Sequence, residues 1–458
     1  MLNHIVILGA GGDLAARYLM PSLARIIDSP DLPNEIRITG VAREQWSTQQ
    51  FRSYIGDRLD EFAADVDRQA RDQLVGCLTY VQADVTDAEA LAPAFSGIDE
   101  PSLAYLALPP AIFPGAIAAL EKIGLPDGSR IVIEKPFGED LESAEALNQQ
   151  VHEVFPENAI FRIDHFLGKQ TVQNVLGLRF ANRIFEPVWN CHHVRQVEII
   201  WDETLALEGR AGYYDNAGAL KDMIQNHLLQ LLCFVGMEPP ARLDEDQLRD
   251  RKVDVLRAVR RLAPEDVAEQ TYRARYSAGE IDGQSIPSYV DEEGVDPDNR
   301  TETFAEVRFT IDNWRWGGVP FILRSGKALG ENRRLIKVHF QGVPHMAFGQ
   351  SDEPVPNVLR LQLDPDHVHL DLNVNCPGDL FELRPVDLAL ELAPPALPAY
   401  GTLLLDVLRG DPMLFIRDDE AEESWQIVEP ILKGWSRELA PLHEYQAGSD
   451  VDSGFLIP

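Results

Sequence analysis

The chain has 458 residues, 45% hydrophobic and 25% charged, a balance that belongs to folded globular proteins and excludes disordered and fibrous ones. Its 74 acidic residues outweigh 41 basic ones to give a net charge of −33, which makes nucleic acid and anionic membranes poor partners and reads as a well-solvated acidic surface. The 4 cysteines (Cys77, Cys191, Cys233 and Cys376) have no metal-ligand spacing, the start lacks a signal-peptide pattern, and no apolar run approaches the roughly 20 residues of a membrane span, so a metal-free cytoplasmic protein is expected.

Strand and helix patterns alternate over the first third of the chain. Strands are expected at Ile5–Leu8, Ile36–Val41, Leu78–Gln82, Leu103–Leu108, Arg130–Glu134 and Ala159–Ile163. Helices fall between them, the first over Asp13–Ile27 with an apolar stripe of Leu14, Tyr18, Leu19 and Leu23. This alternation predicts an α/β, Rossmann-type, doubly wound parallel sheet over residues 1–164. Beyond it the rhythm changes: helical Thr171–Phe180, a strand at Gln196–Trp201 and a strongly helical Ala217–Val235. After the polar stretch Ser285–Arg300 come short strands at Thr303–Ile311, Phe321–Arg324, Leu335–Gln341, Val358–Leu363 and His367–Leu372. Residues 165–458 are therefore expected to form an α+β domain with a large, mostly antiparallel sheet.

The first strand runs into Gly9-Ala-Gly-Gly12-Asp-Leu-Ala15, which opens a helix. Gly9 permits a tight turn, Gly12 lets a pyrophosphate approach the helix N-terminus, and Ala15 allows close packing, so the segment is expected to bind a dinucleotide. The second strand ends in Thr39-Gly-Val-Ala-Arg43 and has no carboxylate for the ribose hydroxyls. Arg43 suits a 2′-phosphate, so NADP is the expected cofactor; Glu44 follows immediately and weakens the preference, keeping NAD as the alternative.

Four further segments concentrate charge. Lys135 follows the strand Arg130–Glu134 and is expected at the carboxyl edge of the sheet, where ligands bind. In Arg162-Ile-Asp-His-Phe-Leu-Gly-Lys169, a helix beginning there would set His165 and Lys169 four apart on one face near its positive end, as a phosphate cradle. His227 falls on the stripe Leu220, Met223, Ile224, Leu228 and Leu231, a pattern that alone suits a core histidine. Leu323-Arg-Ser-Gly-Lys327 puts a lysine after a glycine at a strand end.

With Tyr105-Leu-Ala-Leu-Pro-Pro110, Glu134-Lys-Pro-Phe-Gly138, Leu178-Arg-Phe-Ala-Asn182, Glu208-Gly-Arg-Ala-Gly-Tyr213, Lys221-Asp-Met-Ile-Gln-Asn-His-Leu-Leu-Gln230 and Gly318-Val-Pro-Phe-Ile-Leu-Arg-Ser-Gly-Lys327, these segments resemble the glucose-6-phosphate dehydrogenase family, in family order from residue 9 to about 330. The resemblance implies oxidation of the C1 hydroxyl of D-glucose 6-phosphate to 6-phospho-D-glucono-1,5-lactone with hydride transfer to NADP, a step of the oxidative pentose phosphate pathway. It implies His227 as general base and Asp164 as the carboxylate that orients it. His165 and Lys169 match phosphate ligands, Glu203, Asp222 and Lys327 other sugar-binding positions, and Lys135 a residue shared by sugar and cofactor. Gly9, Gly12, Asp13, Leu14, Arg43, Asp84, Val85 and Pro109 are the cofactor contacts it implies, and Pro136 matches a proline held in cis. A homodimer or homotetramer, joined through the sheet of the second domain, is implied as well.

The chain departs from the family pattern in several places. Phe166 stands where Tyr is common, Tyr18 where Lys is frequent, Lys221 where Arg is common, Gly11 where Ser or Thr is frequent, and Asn332 where a second basic residue often lies. A related dehydrogenase with another sugar preference, and a non-catalytic sensor of NADP or sugar phosphate, are the competing readings. The sensor would be favoured by loss of the base or its partner; Asp164 and His227 are both present.

Overall fold

The computed structural model describes residues 2–30, 32–33, 36–96, 100–207, 209, 211–348, 354–393 and 395–457. The chain forms two compact units: Met1–Lys169 with Ala241–Arg249 and Pro395–Glu422, and Gln170–Pro240 with Asp250–Pro394 and Glu423–Pro458. The sequence reading keeps everything after residue 164 in the second domain; the chain instead returns twice to the first unit.

The first unit is built on β1 (His4–Leu8), β2 (Arg37–Ala42), β3 (Leu78–Gln82), β4 (Leu103–Leu106), β5 (Arg130–Glu134) and β6 (Ile160–Ile163). They pair in parallel in the order β3-β2-β1-β4-β5-β6. Ile5–Leu8 and Ile131–Ile133 are buried along their whole length, as runs covered on both faces must be. The order reverses between β1 and β4, and ligands of such sheets bind outside the carboxyl ends at that point. β4 ends two residues sooner than expected, ahead of Pro109 and Pro110, which have no amide to give a ladder. The helix after the glycine turn is not uniformly α: a π-helical turn, Ala15–Leu19, passes into an α-helix at Met20–Ile26, with Pro21 at the changeover.

The returning segment Pro395–Glu422 carries the helix Ala399–Arg409, which buries Leu403, Leu404, Val407 and Leu408 and packs on Met20–Ile26 and on His165–Gly168. One guanidinium nitrogen of Arg130 donates to the Val407 and Leu408 carbonyls at 2.6 and 3.0 Å, and the Ile416 amide donates to the Arg162 carbonyl at 3.1 Å.

The second unit is built around β7 (Val194–Asp202), β8 (Thr271–Ser277), the small hairpin β9 (Gly279–Ile281) and β10 (Gln284–Ile286), β11 (Phe304–Thr310), β12 (Pro320–Gly326), β13 (Arg333–Phe340), β14 (Val358–Leu363), β15 (Asp366–Cys376), β16 (Asp379–Glu391) and β17 (Leu442–Gln446). Nine of them form a sheet in the order β16-β15-β14-β13-β7-β12-β11-β8-β17, parallel only at β7/β12 and β8/β17. The expectation of a large, mostly antiparallel sheet holds. β8, β16 and β17 extend it beyond the strands read from sequence; β16 contains Pro385, which a strand tolerates at the edge position it occupies.

Candidate active site

In the first unit, the glycine turn lies between β1 and the first helix. Gly9 has φ +88°, and a Cβ there would stand 2.2 Å from the Ala107 carbonyl oxygen, so only glycine fits. The Gly9 and Ala10 amides donate to the Val41 carbonyl at 2.8 and 3.1 Å, fixing the turn to β2, and the Gly12 amide donates to Gly9 at 3.0 Å. A turn with no side chain larger than the buried Ala10 methyl, at the start of a helix, suits a pyrophosphate. Asp13 is exposed and pairs with Arg17 at 3.2 Å, and Leu14 is half-buried at the start of the π-helical turn. Arg43 is exposed just past β2. The Glu44 carboxylate comes within 3.0 Å of where a Gly11 Cβ would stand, so the departure at Gly11 makes room for it.

Farther along the same edge, Asp84 spends one carboxylate oxygen on the Thr86 amide and hydroxyl at 3.0 and 2.8 Å, and those bonds lower its pKa. Val85 is buried and Pro109 exposed. Lys135 is half-buried at the end of β5, and its bond to Pro136 is cis, as the resemblance implies.

After β6 the structure corrects the sequence reading. His165–Gly168 is a 3₁₀ turn, Lys169 is extended (φ −76°, ψ 131°), and the α-helix starts only at Gln170. The Asp164 side chain caps the turn by accepting from the Phe166 amide at 2.9 Å. His165 and Lys169 therefore do not form an i, i+4 pair on a helix face. The Lys169 ammonium lies over the Phe166 ring, 4.8 Å from its centroid, so Phe166 offers a π-face where a tyrosine would add a hydroxyl.

Sequence reasoning missed Tyr400 altogether. Its ring stacks on His165 at 5.8 Å with an interplanar angle of 8°, and lies 5.7 Å from the ring of Tyr18. Its hydroxyl and that of Tyr105 donate to the two carboxylate oxygens of Glu134. Burial pushes the Glu134 carboxyl up to about 7, against those two hydrogen bonds and the pull of Lys135. Tyr400 lies in the least distinctive part of the chain, where no local pattern marks it.

In the second unit, parallel pairing of β7 with β12 sets Asp202 opposite Gly326, so Glu203 and Lys327 leave the sheet side by side. The Glu203 amide donates to the Gly326 carbonyl at 2.9 Å, and the Lys327 ammonium reaches the Glu203 carboxylate at 2.9 Å. Burial raises the Glu203 pKa, but Lys327, Trp201 and Arg334 outweigh it and hold the carboxylate ionised below its ordinary range. Asn332, a departure from the family pattern, accepts from the Thr204 amide at 3.1 Å and so anchors the loop after Glu203. Arg333 is engaged by Asp202 and Asp450.

The helix Ala211–Ala219 breaks at Gly218 (φ 66°, ψ 175°) and continues as a π-helix, Leu220–Leu228, before the α-helix Leu229–Gly236. In a π-helix, bonded i→i+5, residues five apart lie nearly in line, whereas about 3.6 residues per turn would separate them. Asp222 and His227, both buried, thus share one face. The Tyr213 hydroxyl donates to Asp222 at 3.3 Å, a contact no spacing in the sequence signals.

A glycine turn at the reversal of a six-stranded parallel sheet marks the class of dinucleotide-binding proteins, and the second unit adds the Glu203–Lys327 ion pair and the buried Asp222 and His227. Residues 6–174 match the model of the glucose-6-phosphate dehydrogenase NAD binding domain, and residues 176–453 that of its C-terminal domain. The chain belongs to the glucose-6-phosphate dehydrogenase family. It is 40% identical to a glucose-6-phosphate 1-dehydrogenase of Treponema pallidum, over 97% of this chain and 91% of that one. It is 39% identical to that of Zymomonas mobilis, over 98% and 95%. A solved glucose-6-phosphate dehydrogenase in complex with its substrate glucose-6-phosphate superposes with a TM-score of 0.90 at 32% identity, covering 99% of this chain and 96% of the other. A glucose-6-phosphate 1-dehydrogenase from Mycobacterium avium superposes with a TM-score of 0.85 at 35% identity, covering 98% and 95%.

Proposed function

We propose that this protein oxidises the C1 hydroxyl of D-glucose 6-phosphate to 6-phospho-D-glucono-1,5-lactone, with NADP as preferred hydride acceptor. The observation that carries the reading is the ionised Glu203–Lys327 pair in the unit that presents Asp222 and His227, in a chain matched along nearly its whole length by relatives of that name. His227 takes the C1 hydroxyl proton; Asp164 fixes its tautomer and steadies the imidazolium. Glu203, Asp222 and Lys327 hold sugar hydroxyls, His165 and Lys169 hold the phosphate, and Lys135 serves sugar and cofactor. Gly9, Gly12, Asp13, Leu14, Asp84, Val85 and Pro109 line the dinucleotide. The nicotinamide, when bound, supplies the hydride acceptor.

Exposed Arg43 at the end of β2 supports recognition of a 2′-phosphate. The Glu44 carboxylate against Gly11 opposes it, so NAD is a second, poorer acceptor. The test is the absorbance of reduced nicotinamide with glucose 6-phosphate and either NADP or NAD, plain glucose being the control. Reduction with the phosphorylated sugar and NADP supports the reading; preference for NAD removes the role of Arg43.

A homodimer or homotetramer joined through the second sheet completes the proposal. On the edge strand β16, Leu388 and Leu390 are 60% and 57% exposed, and pair across to Leu370 and Val368 of β15. This leaves an apolar face on an edge that a second copy would cover. Light scattering should give a multiple of the chain mass, and a Leu388→Glu/Leu390→Glu variant should run as a monomer. The charge of −33 weighs against nucleic acid, and among the described residues no helix is long and apolar enough to cross a membrane.

A further inference from the structure

We propose that Glu302 is a positioning residue that sets the rotation of the helix carrying Asp222 and His227. The inference rests on the reading of His227 as base. The break at Gly218 starts the π-helix anew, so its first amides have no partner within the helix. Residue 302 supplies acceptors to two of them. Its carbonyl accepts from the Ala219 amide at 3.2 Å, and its carboxylate from the Leu220 amide at 3.0 Å. The fit is close: a Cβ on Gly218 would stand 2.4 Å from the same carboxylate oxygen. Glu302 is buried and precedes β11 by two residues, so the helix start is tied to the sheet that also presents Lys327.

Two amides held by one residue fix both the height and the turn of the helix start. Rotation there would swing Asp222 and His227 together, five residues apart on the same face. The charged groups facing Glu302 are Lys221 on the helix itself and Arg273 on β8, and Tyr214 faces it from the preceding helix. Burial raises the Glu302 carboxyl to about 7, against the Leu220 amide bond and these cations. An oxygen able to accept from Leu220 is present whether or not the carboxyl is protonated. The group therefore acts by reach and shape.

Reach and charge separate in two variants. Glu302→Asp keeps the charge and withdraws the oxygen by one methylene; Glu302→Gln removes the charge and keeps an amide oxygen in place. Both are compared with wild type and His227→Asn for kcat, KM and hydrogen exchange across 215–228. For Glu302→Asp, kcat should fall about ten- to hundred-fold, KM for glucose 6-phosphate should rise several-fold, and KM for NADP should hold within about twofold. Exchange at Leu220, whose acceptor is the side chain, should quicken more than at Ala219, whose acceptor is the main-chain carbonyl. Glu302→Gln should stay within about threefold of wild type in kcat, with protected amides. Wild-type kcat in Glu302→Asp, or equal impairment in both variants, overturns the proposal. A slow His227→Asn beside an unaffected Glu302→Asp rejects the positioning role alone. A normal His227→Asn rejects the base, and the Leu220 exchange then still decides whether Glu302 holds the helix.

Discussion

The two sheets are built from different materials. In the first unit, Ile5–Leu8 and Ile131–Ile133 fill the middle of the sheet with apolar side chains, its buried charged groups being Glu134 on β5 and Arg162 on the edge strand β6, and the groups expected to meet the cofactor stand on loops at the strand ends. In the second, Glu198, Asp202, Glu306 and Arg324 are buried within the sheet itself. Arg324 on β12 reaches Asp202 on β7 at 3.0 Å and Glu306 on β11 at 3.4 Å. In strands apolar on both faces, burial stabilises while saying little about register, whereas a buried ion pair adds little net stability and penalises every pairing that breaks it. The charged lattice therefore fixes β7 against β12, the register that brings Glu203 beside Lys327.

That contrast can be broken or sharpened experimentally. Chemistry assigned to the second unit should fail first with His227→Asn, which should lower kcat about 10²–10⁴-fold with sugar binding largely kept; turnover near wild type would remove the base. Arg324→Met should leave buried Glu306 without a cation and Asp202 with Arg333 alone, and cost about 3–5 kcal/mol in urea unfolding. Arg130→Met in the first unit loses only hydrogen bonds to two carbonyls and should cost about 1–2 kcal/mol. Equal losses would erase the distinction between the sheets.

Glu134 gives a pH test of the first unit. Its carboxyl is raised from 4.5 to about 7 by burial, so the folded chain keeps a proton that the unfolded chain releases. That contribution is fully present below pH 4.5 and is lost as pH rises through about 7. Glu134→Gln cannot ionise, so its stability should decline less than wild type between pH 5 and 8, by about 1–3 kcal/mol. Parallel pH profiles would mean that the carboxyl titrates normally. The smallest effect is expected at the cofactor edge: Glu44→Gln should raise the NADP-over-NAD ratio of kcat/KM by about three- to tenfold. An unchanged ratio would mean that Glu44 does not face the ribose.

Sequence spacing revealed most where structure is local. Gly9, Gly12 and the first strands lie within one β–turn–helix unit, so their pattern is continuous along the chain. Glu203 and Lys327 are 124 residues apart, and only the register of β7 and β12 makes them neighbours. The motif around His227 was legible, but helical periodicity could not show that a π-helix aligns it with Asp222. The same periodicity misread His165–Lys169, because capping by Asp164 tightened the turn. Tyr400 was invisible for a simpler reason: its partner His165 is far away in sequence.

The return of Pro395–Glu422 to the first unit has a consequence for the order in which the protein is made. A ribosome completes all six strands of the first sheet early, yet the acceptors for Arg130 and the ring under His165 emerge only after every strand of the second sheet except β17. Until then the side of Met20–Ile26 that packs against Ala399–Arg409 is uncovered, a nascent surface suited to chaperone capture. The unit whose sheet is synthesised first is thus completed late, and a fragment cut at the end of its contiguous sequence would lack its closing helix.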